Sequence, residues 1–156
     1  MDVRHTTLAP DLPKARLCLG VAGHRAMHRS YGDNLAAIEA TFSQVLDIIQ
    51  SAVDEELGAG AAARTRVHSL LADGADQLSA REAIRRGWEA VAPLPVGASL
   101  NCAINARPRT PADARAILAG AAPADEAVAA RALALRALYQ GAQLFELRDA
   151  DGEMES

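Results

Sequence analysis

The spacing of apolar positions changes repeatedly along the chain, and each change marks a boundary between elements. Arg16 to Ala22 holds a nearly unbroken apolar run, the form of a strand covered on both faces in a parallel sheet. Leu35, Ile38, Phe42, Val45, Leu46, Ile49 and Val53 then recur at helical spacing, with Glu39, Ser43, Asp47 and Gln50 on other faces, which predicts a long amphipathic helix. Asp33 or Asn34 is suited to cap its start, and Gly58 and Gly60 to release its end. A second apolar run, Arg66 to Ala72, predicts another strand. Ala75 to Arg86 follows as a helix with Leu78, Ala83 and Ile84 inward, and Arg81, Glu82, Arg85 and Arg86 on a solvated face. Trp88 to Pro93 reads as a short third strand.

The pattern weakens after Pro95. Val96 to Arg109, with its prolines and asparagines, reads as a connection or functional loop. Pro111 to Ala119 suits a short helix with proline in its first turn, and Asp125 to Gln140 a longer one with Val128, Ala132, Leu135 and Tyr139 in a stripe. Gln143 to Leu147 could close the sheet. Strands alternating with helices imply right-handed β-α-β units. The expected fold class is α/β: a Rossmann-like three-layer sandwich with a mainly parallel sheet, present as a complete or an incomplete copy. One domain over residues 15–148 is expected, its core motifs in 16–95 and a helical extension in 96–148, between an arm (1–14) and an acidic tail (149–156).

Composition narrows the function classes. Acidic and basic residues are interspersed and the net charge is −4, so nucleic acid is disfavoured as a partner. With five aromatic residues in 156, core volume must come from aliphatic side chains and alanine. Two cysteines, Cys18 and Cys102, fit a reducing compartment. No apolar run nears the roughly 20 residues of a membrane span, and no leader is recognisable. A cytoplasmic location and no membrane partner are expected.

Candidate chemistry gathers where the first two strands end. The turn after the first strand carries Gly23, His24 and Arg25; the turn after the second carries Asp73, Gly74, Ala75 and Asp76. Glycine lets a phosphate approach the backbone, the N–H groups of a helix start favour anions, and Arg25 can clamp one. An aspartate can accept a ribose hydroxyl. The same residues also read as solvated loop positions, a helix cap and a turn glycine. Gly20-Val-Ala-Gly23 supplies only part of the G-x-G-x-x-G spacing of dinucleotide sites. His24 and His28 lie four apart without the acidic or thiol companions of a zinc motif, and no cofactor or metal is expected beyond a nucleotide ligand.

Leu19-Gly-Val-Ala-Gly-His-Arg25 together with Ser69-Leu-Leu-Ala-Asp-Gly-Ala-Asp76 resembles the SLOG superfamily. This Rossmann-like group includes DNA-processing protein A and the lysine-decarboxylase-like phosphoribohydrolases. The resemblance covers about residues 16 to 95 and implies binding of a nucleotide or nucleotide-derived ligand at Gly23, His24 and Arg25 and at Gly74, Ala75 and Asp76. Two alternatives stay open. One is a phosphoribohydrolase cleaving the N-glycosidic bond of a nucleoside monophosphate. It lacks the Pro-Gly-Gly-x-Gly-Thr-x-x-Glu loop of that branch, which weighs against an enzyme. The other is an association module with a vestigial site, forming a homo-oligomer through an unpaired sheet edge.

Overall fold

A computed structural model describes residues 14–58 and 60–146; the arm and the acidic tail fall outside these, apart from Lys14. Strand β1 (Leu17–Gly20) is followed by a single turn α1 (Arg29–Gly32) and the long helix α2 (Leu35–Leu57). A 3₁₀ turn at Ala61–Arg64 leads into β2 (Thr65–His68), α3 (Ala75–Arg85) and β3 (Glu89–Leu94). Helices α4 (Gly97–Ala106), α5 (Pro111–Leu118) and α6 (Glu126–Gly141) precede β4 (Ala142–Glu146). The protein is α/β, with a four-stranded, all-parallel sheet flanked by helices in Rossmann-like fashion.

The strand order is β1-β2-β3-β4, so every crossover steps in the same direction. Right-handed crossovers that never reverse put their helices on one face of the sheet. The packing agrees. Leu19, Val67, Ala90 and Ala142 align across the sheet, and all four belong to one hydrophobic cluster with Leu46 of α2 and Ala83 of α3. Ala92 and Leu94, further along the same face of β3, join Ala80, Cys102, Ile117, Val128, Ala132 and Leu135 in a second cluster. The described residues thus supply the sheet and the helical layer of one face. On the other face Cys18, Gly20, His68, Gln143 and Phe145 are exposed. There Arg66 binds Glu89 through two hydrogen bonds of 2.9 and 2.8 Å, and Arg16 adds a third at 2.6 Å. The bond to Arg66 is the main reason that the Glu89 carboxyl lies below its usual range.

Three expectations are corrected. Val96–Arg109 is mostly helix α4, whose buried side carries Asn101, Cys102, Ala103, Asn105 and Ala106. Small and amide side chains there conceal the helical period, because α4 packs close to α6 and satisfies its polar atoms internally. Arg86 is not solvated: its side chain is 6% exposed. It is bonded to Glu82, to Ser43 and, at 2.6 Å, to Asp47, so it joins α3 to α2 beside the Arg81–Glu39 pair. Strand β2 ends at His68, short of the expected Ala72, and Leu71 is fully buried in the core at φ 55°.

Among the described residues, two helix starts are capped by side chains. Thr110 Oγ1 accepts from the Asp113 N–H and Asp125 Oδ1 from that of Val128, satisfying groups a helix start leaves open. Asn34 precedes α2 but makes no side-chain cap; its amide donates to the Ser30 carbonyl instead. Among the described residues, no helix is long and apolar enough to cross a membrane. The two thiols report on the two sides of the sheet: Cys18 is exposed, whereas Cys102 is 2% exposed and burial raises its pKa. A thiol reagent should therefore modify Cys18 in the native protein and Cys102 only after denaturation. Native protection of Cys18 would mean that something covers the open face.

Candidate functional site

The two turns expected to hold the ligand meet, and they meet by interlocking. A Cβ built on Gly74 would lie 2.4 Å from the His24 carbonyl oxygen and 2.6 Å from the Ala26 nitrogen. One on Gly23 would lie 2.4 Å from the Ala75 Cβ. Gly74 also sits at φ 103°, ψ −128°, a conformation essentially reserved for glycine. The β1 loop therefore rests directly on the start of α3, and the Ala75 N–H donates to the His24 carbonyl at 3.2 Å. Gln77 N–H donates to the Ala72 carbonyl and Leu78 N–H to that of Gly74. The start of α3 is thus largely occupied by the protein's own carbonyls. Because the strand order does not reverse, the described strands form no switch-point crevice between the turns.

Asp76 is also engaged. Its carboxylate accepts from the backbone N–H groups of Ala72 and Leu70, and its carbonyl accepts from the hydroxyls of Ser69 and Ser79. Ser69 Oγ in turn accepts from the Leu71 N–H. These contacts hold the strained Leu71 turn in place. Burial is the dominant effect on the Asp76 carboxyl and raises its pKa in spite of the donors around it.

Asp73 is the most heavily committed residue. Its side chain is 6% exposed and lies between two guanidiniums. Arg25 Nη1 reaches Oδ1 at 3.0 Å, and Arg107 Nε lies 3.5 Å from Oδ2. Neither Oδ2 nor that Nε has a hydrogen-bond partner. Asn105 completes the mount: its Oδ1 accepts from Arg25 Nη1 at 3.2 Å and from the Asp73 N–H at 3.0 Å. Its own amide donates to the Asn101 carbonyl. Asn101 donates to the Leu70 carbonyl and accepts from the Tyr139 hydroxyl at 2.8 Å. A chain of polar contacts thus runs from α6 through α4 to Arg25.

Two cations share the Asp73 carboxylate, and Arg25 also interacts with the Asp76 carboxylate. The Arg25 side chain is 61% exposed while Nη1 is held. A guanidinium fixed at one corner keeps its remaining donors aimed, at less entropic cost on binding than a free chain would incur. Beside it, none of the described residues accepts from the backbone N–H of Ala22, Gly23 or His24. The His24 ring stacks on His28, centroids 3.8 Å apart. No cluster of metal-binding side chains is found among the described residues.

Two clefts border the β1 turn and share Val21, Ala22 and Gly23. One, of about 360 Å³, lies over the strand ends and reaches His68, Ser69, Asp76 and Pro93. The other, of about 240 Å³, lies on the helical side against α2 and α3.

Of the expected residues, the structure brings all seven together. Gly23, Asp73, Gly74, Ala75 and Asp76 shape the site from within, and His24 and Arg25 face solvent. Asn105 and Arg107 went unanticipated, having been read as part of a loop. The pair Asn101 and Asn105, one turn apart, was the available signal. No family model, curated protein or solved structure matches the chain.

Replacing Gly74 by alanine should cost about 3 kcal/mol or more, through backbone strain and overlap together. It should appear as a lower urea midpoint at unchanged slope. An undisturbed midpoint would refute the interlock. Asp76 makes a pH-dependent contribution of known sign. Its folded pKa exceeds the unfolded value near 3.8, so the folded state binds this proton more tightly. The stability this lends is full below the unfolded pKa and is lost as pH rises through the raised folded pKa. The stability difference between wild type and Asp76→Asn should therefore move in favour of wild type as pH falls through that window, read from urea midpoints. A pH-independent difference would contradict it.

Proposed function

We propose that the protein binds a nucleotide or nucleotide-derived phosphate ligand at the carboxyl end of β1, with the anion on Arg25. The mounting of Arg25 carries this reading. A buried aspartate and an asparagine from another helix hold one corner of an exposed guanidinium. The unpartnered N–H groups from Ala22 to His24 add donors alongside, and such runs of backbone N–H suit phosphate oxygens. His24 supplies another donor at the same edge. Similarity of the two turns to those of the SLOG superfamily points to the same ligand class.

The role of the second turn is different from that expected for it. Asp73, Gly74, Ala75 and Asp76 act by holding the first turn and its arginine, while Gly23, His24 and Arg25 meet the ligand. Binding, rather than catalysis, is what this arrangement supports best: the two acids nearest the cleft are already engaged by backbone donors or guanidiniums.

Calorimetric titration with inorganic phosphate, ribose 5-phosphate and nucleoside monophosphates tests the reading. Arg25→Ala should weaken binding by about 10- to 100-fold, the worth of one charge-assisted contact. Arg25→Lys should recover little, since lysine cannot be braced at one corner and donate from another. Absence of binding at millimolar ligand, or equal affinity in wild type and Arg25→Ala, would refute it.

A further inference from the structure

The cleft on the helical side of the β1 turn has a different character from the braced arginine. Ile38 and Phe42 of α2, Leu78 and Ala75 of α3, and Tyr31 line it. Tyr31 is 7% exposed, so most of its ring is packed against the protein. Its hydroxyl is not among the buried polar atoms that lack a partner, and it gives this largely apolar lining a polar group that a ligand can bond. The Glu39–Arg81 pair is its nearest charged company. Burial, with Glu39 as a smaller influence, raises the phenol pKa, so the group stays protonated and can both donate and accept.

Size and position restrict what fits. Pockets that enclose a whole drug-sized ligand run about 300–1,000 Å³, so a cleft of about 240 Å³ takes one part of a larger molecule. Gly23 and His24 line its mouth, and they adjoin Arg25. A ligand anchored by its phosphate at Arg25 would therefore present its next groups to this opening. Among the parts of a nucleotide, the base alone combines large apolar faces with hydrogen-bonding edges, and aromatic neighbours favour such a ring.

We infer that the Tyr31–Phe42 cleft is the base-binding subsite, taking a single nucleobase-sized heterocycle whose edge bonds the Tyr31 hydroxyl. This inference rests on the ligand reading above. It makes the protein selective for nucleosides and nucleotides over simple phosphates, and it assigns the discrimination to α1, α2 and α3 rather than to the strand ends.

The test compares adenosine and guanosine 5′-monophosphates with ribose 5-phosphate and inorganic phosphate on the same chain. At least one of the two nucleotides should bind about tenfold or more tighter than ribose 5-phosphate, the scale expected for burying one ring. Ile38→Trp fills the cleft from α2 and should abolish that preference. Tyr31→Phe should reduce the preference, and Arg25→Ala should weaken all the phosphates together. In the unaltered protein, adenosine or guanosine should shift the Tyr31 and Phe42 ring resonances, a readout independent of whether a variant folds. Phosphates that bind through Arg25 with no preference for nucleotides, and unmoved ring resonances, would overturn this inference and leave the anion site standing. Failure of every phosphate to bind would overturn both.

Discussion

The contact between the β1 loop and the start of α3 is the constraint from which the site is built. Neither Gly23 nor Gly74 has a Cβ, so the backbone of residues 23–26 can lie on α3 at distances no other residue would permit. That contact closes the usual place for an anion at a helix start, since the Ala75 N–H is given to His24. The same loop directs Arg25 across the α3 turn to Asn105 of α4. The helix start thus becomes a support for the anion-facing loop. Strain collects around the same place: among the described residues Leu71 and Arg107 are the non-glycine residues with positive φ, Leu71 two positions before Asp73 in the chain and Arg107 with its Nε 3.5 Å from the Asp73 carboxylate.

Electrostatics explains why Arg25 is held against Asp73. Asp73, desolvated at 6% exposure, would be costly without partners. Arg107 balances one side and Arg25 the other, while Asn105 spans Arg25 and the Asp73 backbone. The site therefore depends on α4 and, through Asn101 and Tyr139, on α6. These helices give the apparently peripheral second half of the chain a direct part in orienting the first loop.

Much of this was written in local pattern. The long run from Leu35 to Val53 and the alternation of strand and helix follow from residue spacing. The seven turn residues also assemble as expected. Their division of labour was hidden, because it depends on which carbonyl lies above Ala75 and which acid lies under Arg25. Those are contacts between residues some fifty positions apart. Helix α4 was hidden for another reason: Asn101 and Asn105 point inward to bond carbonyls and an arginine, so a polar pattern lies where a helix buries its inner face. Arg86 misleads likewise, since its charge is spent on Glu82 and Asp47 rather than on water.

The strand order has one more consequence. Because each crossover steps the same way, the helices lock one face of the sheet into two hydrophobic clusters, while the other exposes Gly20, His68, Gln143 and Phe145 around a buried Val91. Gly20, His68, Gln143 and Phe145 on the second face touch neither the arginine mount nor the buried clusters. Gly20 and His68 also line the strand-end cleft, so changes there reach the site, whereas Gln143 and Phe145 do not line it. The same short strands thus answer to two constraints, close packing on one side and contact with water on the other.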